Sequence, residues 1–396
     1  MFKILHTSDW HMGKKLAGYD RSDEFEEFFA FLKNVISQRK PDVLLISGDV
    51  FDTGSPSNET AKRYCSLMVE LHCEFPCLQI VVTSGNHDSP SFLDINAKVL
   101  EYFSAVVSAS VEYVDGQIFW EGLIKEIKVS NQVAAIVCAV PYLRAGDLRR
   151  VGEDAGIKEF FEILYQHAEK VRGNRNIPII ATGHFTSLGV TTSDGTAAVG
   201  GMSGVDTDSF PPFDYIGLGH IHKAQRCGTR ENIRYSGSPV AYSFAEKAII
   251  KSVTEVCFDG KDVFNIEIVD IPQTVELLII PPEPGDMFEV EFACKSLPDD
   301  KDFFVEVNIK PEFKTPENKS RVINEFLAGK KARFCNWHFV KQKNFDDIYY
   351  GHQGVDAHEF KNANPLDIIS QIYKRNYSKD LEPKYLKMLN EILEQK

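Results

Sequence analysis

Long hydrophobic runs, a second close pair of cysteines and an excess of basic residues are all missing from this 396-residue sequence. No stretch approaches the roughly 18 consecutive apolar residues that cross a bilayer. The opening "MFKILHTSDW" has no basic region leading into an apolar signal segment. These absences argue against a membrane partner and make the cytoplasm the expected location. The eight cysteines, at positions 65, 73, 77, 138, 227, 257, 294 and 335, include one close pair, Cys73 and Cys77, and no second pair to complete a zinc site. They read as reduced, mostly buried small residues. No P-loop of the form G-x-x-x-x-G-K-S/T occurs, so the chain is not expected to hydrolyse ATP itself. Lys and Arg number 44 against 57 Asp and Glu, and the net charge of −13 lacks the basic footprint that binding a phosphate backbone usually leaves. Local exceptions are Lys14-Lys15, Arg144 with Arg149-Arg150, and Lys330-Lys331 with Arg333. Bound divalent cations would also reverse the sign of the field locally.

What is present is a repeated pattern. The length and the apolar content of 43% suit two or three domains with real cores. Short β-branched apolar runs separated by helical patterns predict an α/β arrangement. The runs are "FKIL", "DVLLIS" at 42–47, "LQIVVTS" at 78–84, "IPIIAT" at 177–182 and "DYIGL" at 214–218. Each is followed by polar residues of one kind: Asp9 and His11; Asp49 and Asp52; Asn86, His87 and Asp88; His184; His220 and His222. In sheets of this type, ligands bind outside the carboxyl ends of the strands.

A tight turn would account for the glycine, asparagine and proline of "SGNHDSP", but not for His87. Five strand ends releasing Asp, His or Asn from turns are hard to obtain from core packing alone. Carboxylates, imidazoles and an amide oxygen, with no thiolate among them, form a ligand set for first-row metals. Five of the eleven histidines lie in these motifs.

The ordered set D-x-H, G-D-x-x-D, G-N-H-D, G-H and G-H-x-H resembles that of the calcineurin-like metallophosphoesterases. The segments "ILHTSDWHMGKKL", "DVLLISGDVFDTGSPS" and "FDYIGLGHIHKAQ" are similar, more narrowly, to the SbcD family of nucleases. The resemblance implies a two-sheet sandwich flanked by helices, and two divalent ions, Mn²⁺ by family practice, sharing Asp49. Asp9, His11, Asp49 and His222 would hold one ion, and Asp49, Asn86, His184 and His220 the other. His87 would stay free of metal and stabilise or protonate the leaving oxygen. Asp52 and Asp88 would orient imidazoles or backbone, or simply cap turns. His6, His72, His167, His338, His352 and His358 are assigned to packing or solvent. Trp10 and Tyr142 could stack on bases but read first as core. The glycine-rich stretch from Phe185 to Phe213 is long enough to suggest a DNA contact or a dimer-adjacent role.

By the same resemblance, residues 1–278 form the nuclease domain and 279–362 a small α+β capping domain, the boundary falling at the prolines of "IIPPEPGD". Residues 363–396 form a helical pair, with Leu366, Ile369 and Tyr373 on one face of the first helix and Leu381, Tyr385, Leu389 and Ile392 or Leu393 on one face of the second. Such a pair usually packs on its own domain; the resemblance implies instead that it docks on an SbcC-like ATPase. Leu67, Leu71, Leu93 and Leu100 lie at helical spacing and read as a face packed on the sheet. By resemblance, part of that surface would form a homodimer contact within a heterotetramer. The implied activity is metal-dependent hydrolysis of DNA ends and hairpins in repair and recombination. Rivals are a small-molecule phosphodiesterase, a protein phosphatase, disfavoured by Ser84 and Asp88 flanking the G-N-H motif, and an inactive scaffold, disfavoured by the complete ligand set.

Overall fold

The computed structural model describes residues 1–153, 155–192, 205–310 and 319–339. The chain opens with β1 (Phe2–Thr7), α1 (Ser22–Arg39), β2 (Val43–Ser47), α2 (Asn58–Glu74), β3 (Gln79–Thr83), α3 (Pro90–Glu101) and β4 (Ala105–Ser108). A small hairpin, β5 (Tyr113–Val114) and β6 (Gln117–Ile118), and the short α4 (Trp120–Leu123) follow. Next come β7 (Ile124–Val129), β8 (Gln132–Cys138), α5 (Ala145–Val151), α6 (Ile157–Arg172), β9 (Ile179–His184) and β10 (Tyr215–Gly219). After them run β11 (Gln225–Cys227), β12 (Arg230–Tyr235), β13 (Ser252–Asp259) and β14 (Asp262–Asp270). The last described elements are β15 (Val275–Gly285), α7 (Met287–Lys295), β16 (Asp302–Ile309), α8 (Lys319–Phe326) and β17 (Ala332–Phe339).

Two six-stranded sheets form the body, in the orders β14-β13-β1-β2-β3-β4 and β11-β12-β10-β9-β8-β7. Their inner strands run parallel and are buried on both faces, which is why each reads as a continuous apolar run. Alternation decides which face each side chain serves. Ile4, Val43, Leu45 and Val81 meet Val137, Ile180 and Tyr215 between the sheets. Leu5, Leu44, Ile46, Ile80 and Val82 face outward under α1, α2 and α3. Ile136, Ile179, Ile216 and Leu218 lie under α6. The helices hold through the same pattern: α1 buries Phe25, Phe28, Phe29, Leu32, Val35 and Ile36, worth roughly 1.5–3 kcal/mol for each fully buried side chain. Ser57 caps α2 by accepting from the Thr60 N–H at 3.1 Å.

Leu67, Leu71, Leu93 and Leu100 are all buried in the core beneath α2 and α3, as the packing reading expects. The large apolar side chains that α3 leaves exposed are Ile95 and Val99 instead. The hairpin β13–β14 completes the edge of the first sheet. Beyond it, β15, β16 and β17 form a parallel three-stranded sheet with α7 and α8 in its connections. Its first strand begins at Val275 and continues through Pro281, Pro282 and Pro284. The prolines therefore do not break the element: β15 is an edge strand, and the register shifts between Ile280 and Gly285. This small sheet packs on the body where Leu277 and Phe304 meet Leu16, Ala241 and Phe244. Among the described residues no helix is long and apolar enough to cross a membrane. The helical pair expected at 363–396, His352, His358 and residues 193–204 of the glycine-rich stretch lie outside the described residues.

Candidate metal centre

The five ligand-bearing strands divide between the two sheets: β1, β2 and β3 in one, β9 and β10 in the other. The sheets are tied together at the ligand end, where the Ser47 hydroxyl donates to the Gly217 carbonyl at 3.0 Å. The backbone there is forced into unusual shapes. Asp9 (φ 52°), His11 (φ 42°), Asp49 (φ 49°) and His220 (φ 98°) all have positive φ without being glycine. Such angles are uncommon and cluster at functional sites. Two glycines are needed for closeness, and Gly48 for turning as well. A Cβ on Gly85 would stand 2.0 Å from Asp49 Oδ1, and one on Gly48 (φ +82°) 2.3 Å from His184 Nδ1.

Asp49 sits at the middle of the cluster. Its Oδ2 is 3.5 Å from His11 Nε2 and 3.2 Å from His184 Nε2, while Oδ1 accepts from the His87 N–H at 2.8 Å. On one side, His11 Nε2 lies 3.2 Å from His222 Nε2. On the other, Asn86 Oδ1 is 3.1 Å from His184 Nε2 and 3.0 Å from His220 Nδ1. Asp9 accepts from the His220 N–H at 2.8 Å and groups both with His11 and His222 and with Asp49 and His184. The structure thus brings all seven sequence-predicted ligands together.

The donor chemistry fits cations. His184 Nδ1 faces the Ser47 carbonyl at 3.1 Å, so in the neutral ring the hydrogen is there and Nε2 carries a lone pair. That lone pair points at Asp49 Oδ2 and Asn86 Oδ1, acceptor against acceptor. His222 Nδ1 faces Glu246 Oε1 at 3.2 Å, which turns its Nε2 lone pair toward His11 Nε2. Mixed nitrogen and oxygen donors in this crowding suit divalent first-row ions. The charges within the cluster depend on one another: burial opposes ionisation of either partner, yet Asp49 pushes His184 up to about 9, and His184 and His11 hold Asp49 below the usual carboxylate range, so a cation ligated by His184 Nε2 would displace that proton. Burial, with His184 adding, lowers His220 to about 4 and keeps it neutral, as a ligand must be.

His87 lies at the exposed face, its ring centroid 4.8 Å from that of His11. Its Nδ1 donates to the Asp52 carbonyl at 2.8 Å, leaving Nε2 free for another partner. The Asp52 carboxylate accepts from Lys14 at 2.7 Å and stands 3.6 Å from His11 Nδ1; His11 and then Lys14 hold it at about 2. Among the described residues Asp88 bonds to no imidazole. It accepts from the Gly85, Phe51 and Val50 N–H groups at 2.8, 2.9 and 3.1 Å, lacing the loop after β2 to the loop after β3. Trp10 is fully buried against Phe28 and Phe29 and donates to Thr7, so it is core. His6 is buried, His72 packs on Phe103, and His167 stacks on Trp120. Tyr142 stands beside the centre, its ring edge-on to His184 at 6.2 Å. Cys73 and Cys77 are exposed, unlike the buried Cys138, Cys227, Cys257 and Cys294.

Sequence reading missed three supporting residues. Glu246 holds the His222 ring, and Lys251, buried, holds Glu246 at 2.6 Å. The Tyr242 hydroxyl donates to the carbonyls of Asp9 and Trp10, fixing the strained backbone between two ligands. The only signal for them was one acid and two lysines embedded in the apolar segment "SPVAYSFAEKAIIK".

Residues 2–224 match the family model described as calcineurin-like phosphoesterase. The SbcD component of the nuclease SbcCD from Escherichia coli (strain K12) is 33% identical over 301 residues, covering 73% of this chain and 72% of that protein. The protein of the same name from Rhodobacter capsulatus is 32% identical, covering 70% and 71%. That of Staphylococcus epidermidis is 27% identical, covering 74% and 76%.

Proposed function

The chain belongs to the calcineurin-like phosphoesterases and to their SbcD branch, and we propose that it hydrolyses DNA phosphodiesters at the centre around Asp49, cutting double-strand ends and hairpins or single strands. The observation that carries this is the convergence of imidazole nitrogens on one carboxylate: His11 Nε2 and His184 Nε2 lie 3.5 and 3.2 Å from Asp49 Oδ2. In this reading Asp9, His11, Asp49 and His222 would hold one divalent first-row ion and Asp49, Asn86, His184 and His220 a second, with Mn²⁺ proposed on the family resemblance. When bound, such a pair supplies the Lewis acidity and the neutral-pH nucleophile that phosphodiester cleavage requires.

The protein's own groups do the rest. His87 sits where the site opens, and its Nδ1–H bond to the Asp52 carbonyl fixes the ring so that Nε2, once protonated, presents its proton to the departing oxygen. Asp52 and Lys14 keep a fixed charge pair beside His11. Asp88 holds the two loops that carry Asp49 and Asn86 in register. The small sheet from Val275 onward acts as a cap beside the site. The relatives are named as one component of a nuclease, SbcCD, and the C-terminal segment 363–396 is the proposed docking element for an SbcC-like ATPase. The exposed Ile95 and Val99 of α3 are the proposed homodimer surface.

The net charge of −13 favours one rival, a phosphodiesterase for small substrates. The deciding experiment incubates the purified chain, alone and with an SbcC-like partner, in Mn²⁺ with linear, hairpin and single-stranded DNA and, separately, with bis-p-nitrophenyl phosphate. Cleavage of DNA supports the nuclease. Turnover of the small diester with no DNA cleavage under either condition favours the rival.

A further inference from the structure

The 18-residue helix α1 begins against the usual rules. Its N-cap position, which serine, threonine, aspartate and asparagine fill best, holds Arg21, whose side chain caps nothing. A cation there stands at the positive end of the helix dipole, and this side chain is only 1% exposed. Helix formation asks for none of this, so the residue is explained by what it touches. Glu24 balances the charge, accepting from Arg21 Nε at 2.7 Å and from Nη2 at 2.5 Å. Nη1 donates to the carbonyl of Ala241, the residue before Tyr242. The guanidinium carbon then lies 5.9 Å from the centre of the Tyr242 ring and 5.4 Å from that of Phe304, both within range of cation–π attraction.

The two rings belong to different parts of the protein. Phe304 is on β16, fully buried at the seam between the small sheet and the body. Tyr242 stands behind the metal centre. Its ring is edge-on to His11 at 5.2 Å and to His222 at 5.3 Å, and its hydroxyl donates to the carbonyls of Asp9 and Trp10. It thus touches three of the four residues proposed to hold the first ion, while its ring packs on neither His184 nor His220 of the second set. Each ring has another cation near it, Lys14 at 5.8 Å from Tyr242 and Arg333 at 5.3 Å from Phe304. Among the described residues, Arg21 alone reaches both rings.

Building on the two-ion reading, we infer that Arg21 is a positioning residue that makes the first ion's site depend on the seating of the small sheet. Phe304 holds the guanidinium against Tyr242, and Tyr242 holds the His11 and His222 rings and the positive-φ backbone of Asp9. The site formed by Asn86, His184 and His220 lies off this chain of contacts. A disturbance at the seam therefore loosens one ion and spares the other.

Mn²⁺ titration calorimetry of the metal-free protein tests this without reference to turnover, after denaturant titrations have shown each variant to be folded. The wild type should take up two equivalents. His222→Ala and His220→Ala, each removing a ligand from one set, identify which binding event belongs to which site. Phe304→Leu keeps the seam apolar and removes the ring; it should weaken the event lost in His222→Ala about tenfold and leave the other unchanged. Arg21→Met combined with Glu24→Gln removes the buried charge pair without stranding either partner, and should give the same selective loss. Adding Phe304→Leu to that pair should then cost little more, because the two act through one contact. Unchanged titrations, equal weakening of both events, or additive losses in the combined variant would each overturn the inference and leave Arg21 and Phe304 as packing. A wild type that takes up a single equivalent is a different failure: it removes the two-ion reading on which the inference stands.

Discussion

Oε1 of Glu246 lies 3.2 Å from Nδ1 of His222, and Oε2 of the same carboxylate lies 2.6 Å from the Lys251 ammonium. All of this happens out of water: the Glu246 and Lys251 side chains are 3% and 1% exposed. Burial alone would raise Glu246, but His222 and Lys251 hold it at about 2. The carboxylate thus fixes both the tautomer and the direction of a candidate ligand, and the lysine fixes the carboxylate.

Glu246→Ala should therefore do two separable things. Leaving Lys251 buried without its partner should destabilise the fold by about 3–5 kcal/mol, read by chemical denaturation. Freeing the His222 ring should weaken Mn²⁺ binding about 10–100-fold, read by titration calorimetry. Adding Lys251→Met should restore much of the stability and none of the metal affinity. Wild-type affinity in the double variant would show that Glu246 only neutralises Lys251.

His87 and Asp49 should fail in different ways. His87→Gln keeps a side chain of similar reach but cannot act as an acid, so hydrolysis should fall by about 10²–10⁴-fold with metal still bound. Asp49→Ala removes the oxygen that faces both His11 and His184, and metal and activity should disappear together. Metal content by elemental analysis beside turnover separates the two, and undiminished turnover in His87→Gln would remove the acid role.

Gly85→Ala probes how tightly the loop after β3 is pressed on Asp49. The added methyl would lie 2.0 Å from Asp49 Oδ1 and 2.3 Å from the Asp49 nitrogen, so something must move. Overpacking of this kind destabilises by about 1–3 kcal/mol, and here the displaced group is the central carboxylate. Metal affinity should fall along with stability, and a variant that loses only stability would place the strain elsewhere.

The site was far more legible than its supports, for a physical reason. A ligand at the end of an apolar run announces itself, because core packing has no use for Asp, His or Asn there; Asp9, Asp49, Asn86, His184 and His220 all follow such runs. Glu246 and Lys251 follow no strand-end motif, and only their pairing in space gives them a role. The division of the five strands between two sheets was equally hidden. Leu44 and Ile216 look alike as buried strand residues, and nothing in either run says that β2 pairs with β1 and β3 while β10 pairs with β9 and β12. The prolines after Ile280 misled about whether a regular element continues there, because an edge strand can spare the hydrogen bonds that a central strand cannot.

His6 should give the fold a pH dependence of its own, away from the ligands. It is wholly buried beside Tyr215, whose hydroxyl lies 3.0 Å from Nδ1. Burial, and then the charge of Arg234, lower it from its ordinary 6.5 to about 3. Between these values the unfolded chain binds a proton that the folded chain refuses, so this residue's contribution is complete above pH 6.5 and is progressively lost as the pH falls toward 3. At pH 5 the loss amounts to about 2 kcal/mol. Carboxylates elsewhere add their own slopes, but a His6→Gln variant shares those and lacks only this one. Denaturant titrations of both proteins in chelator between pH 7 and 5 should show the wild type losing about 2 kcal/mol more than the variant, and parallel curves would mean that His6 takes up its proton inside the folded protein.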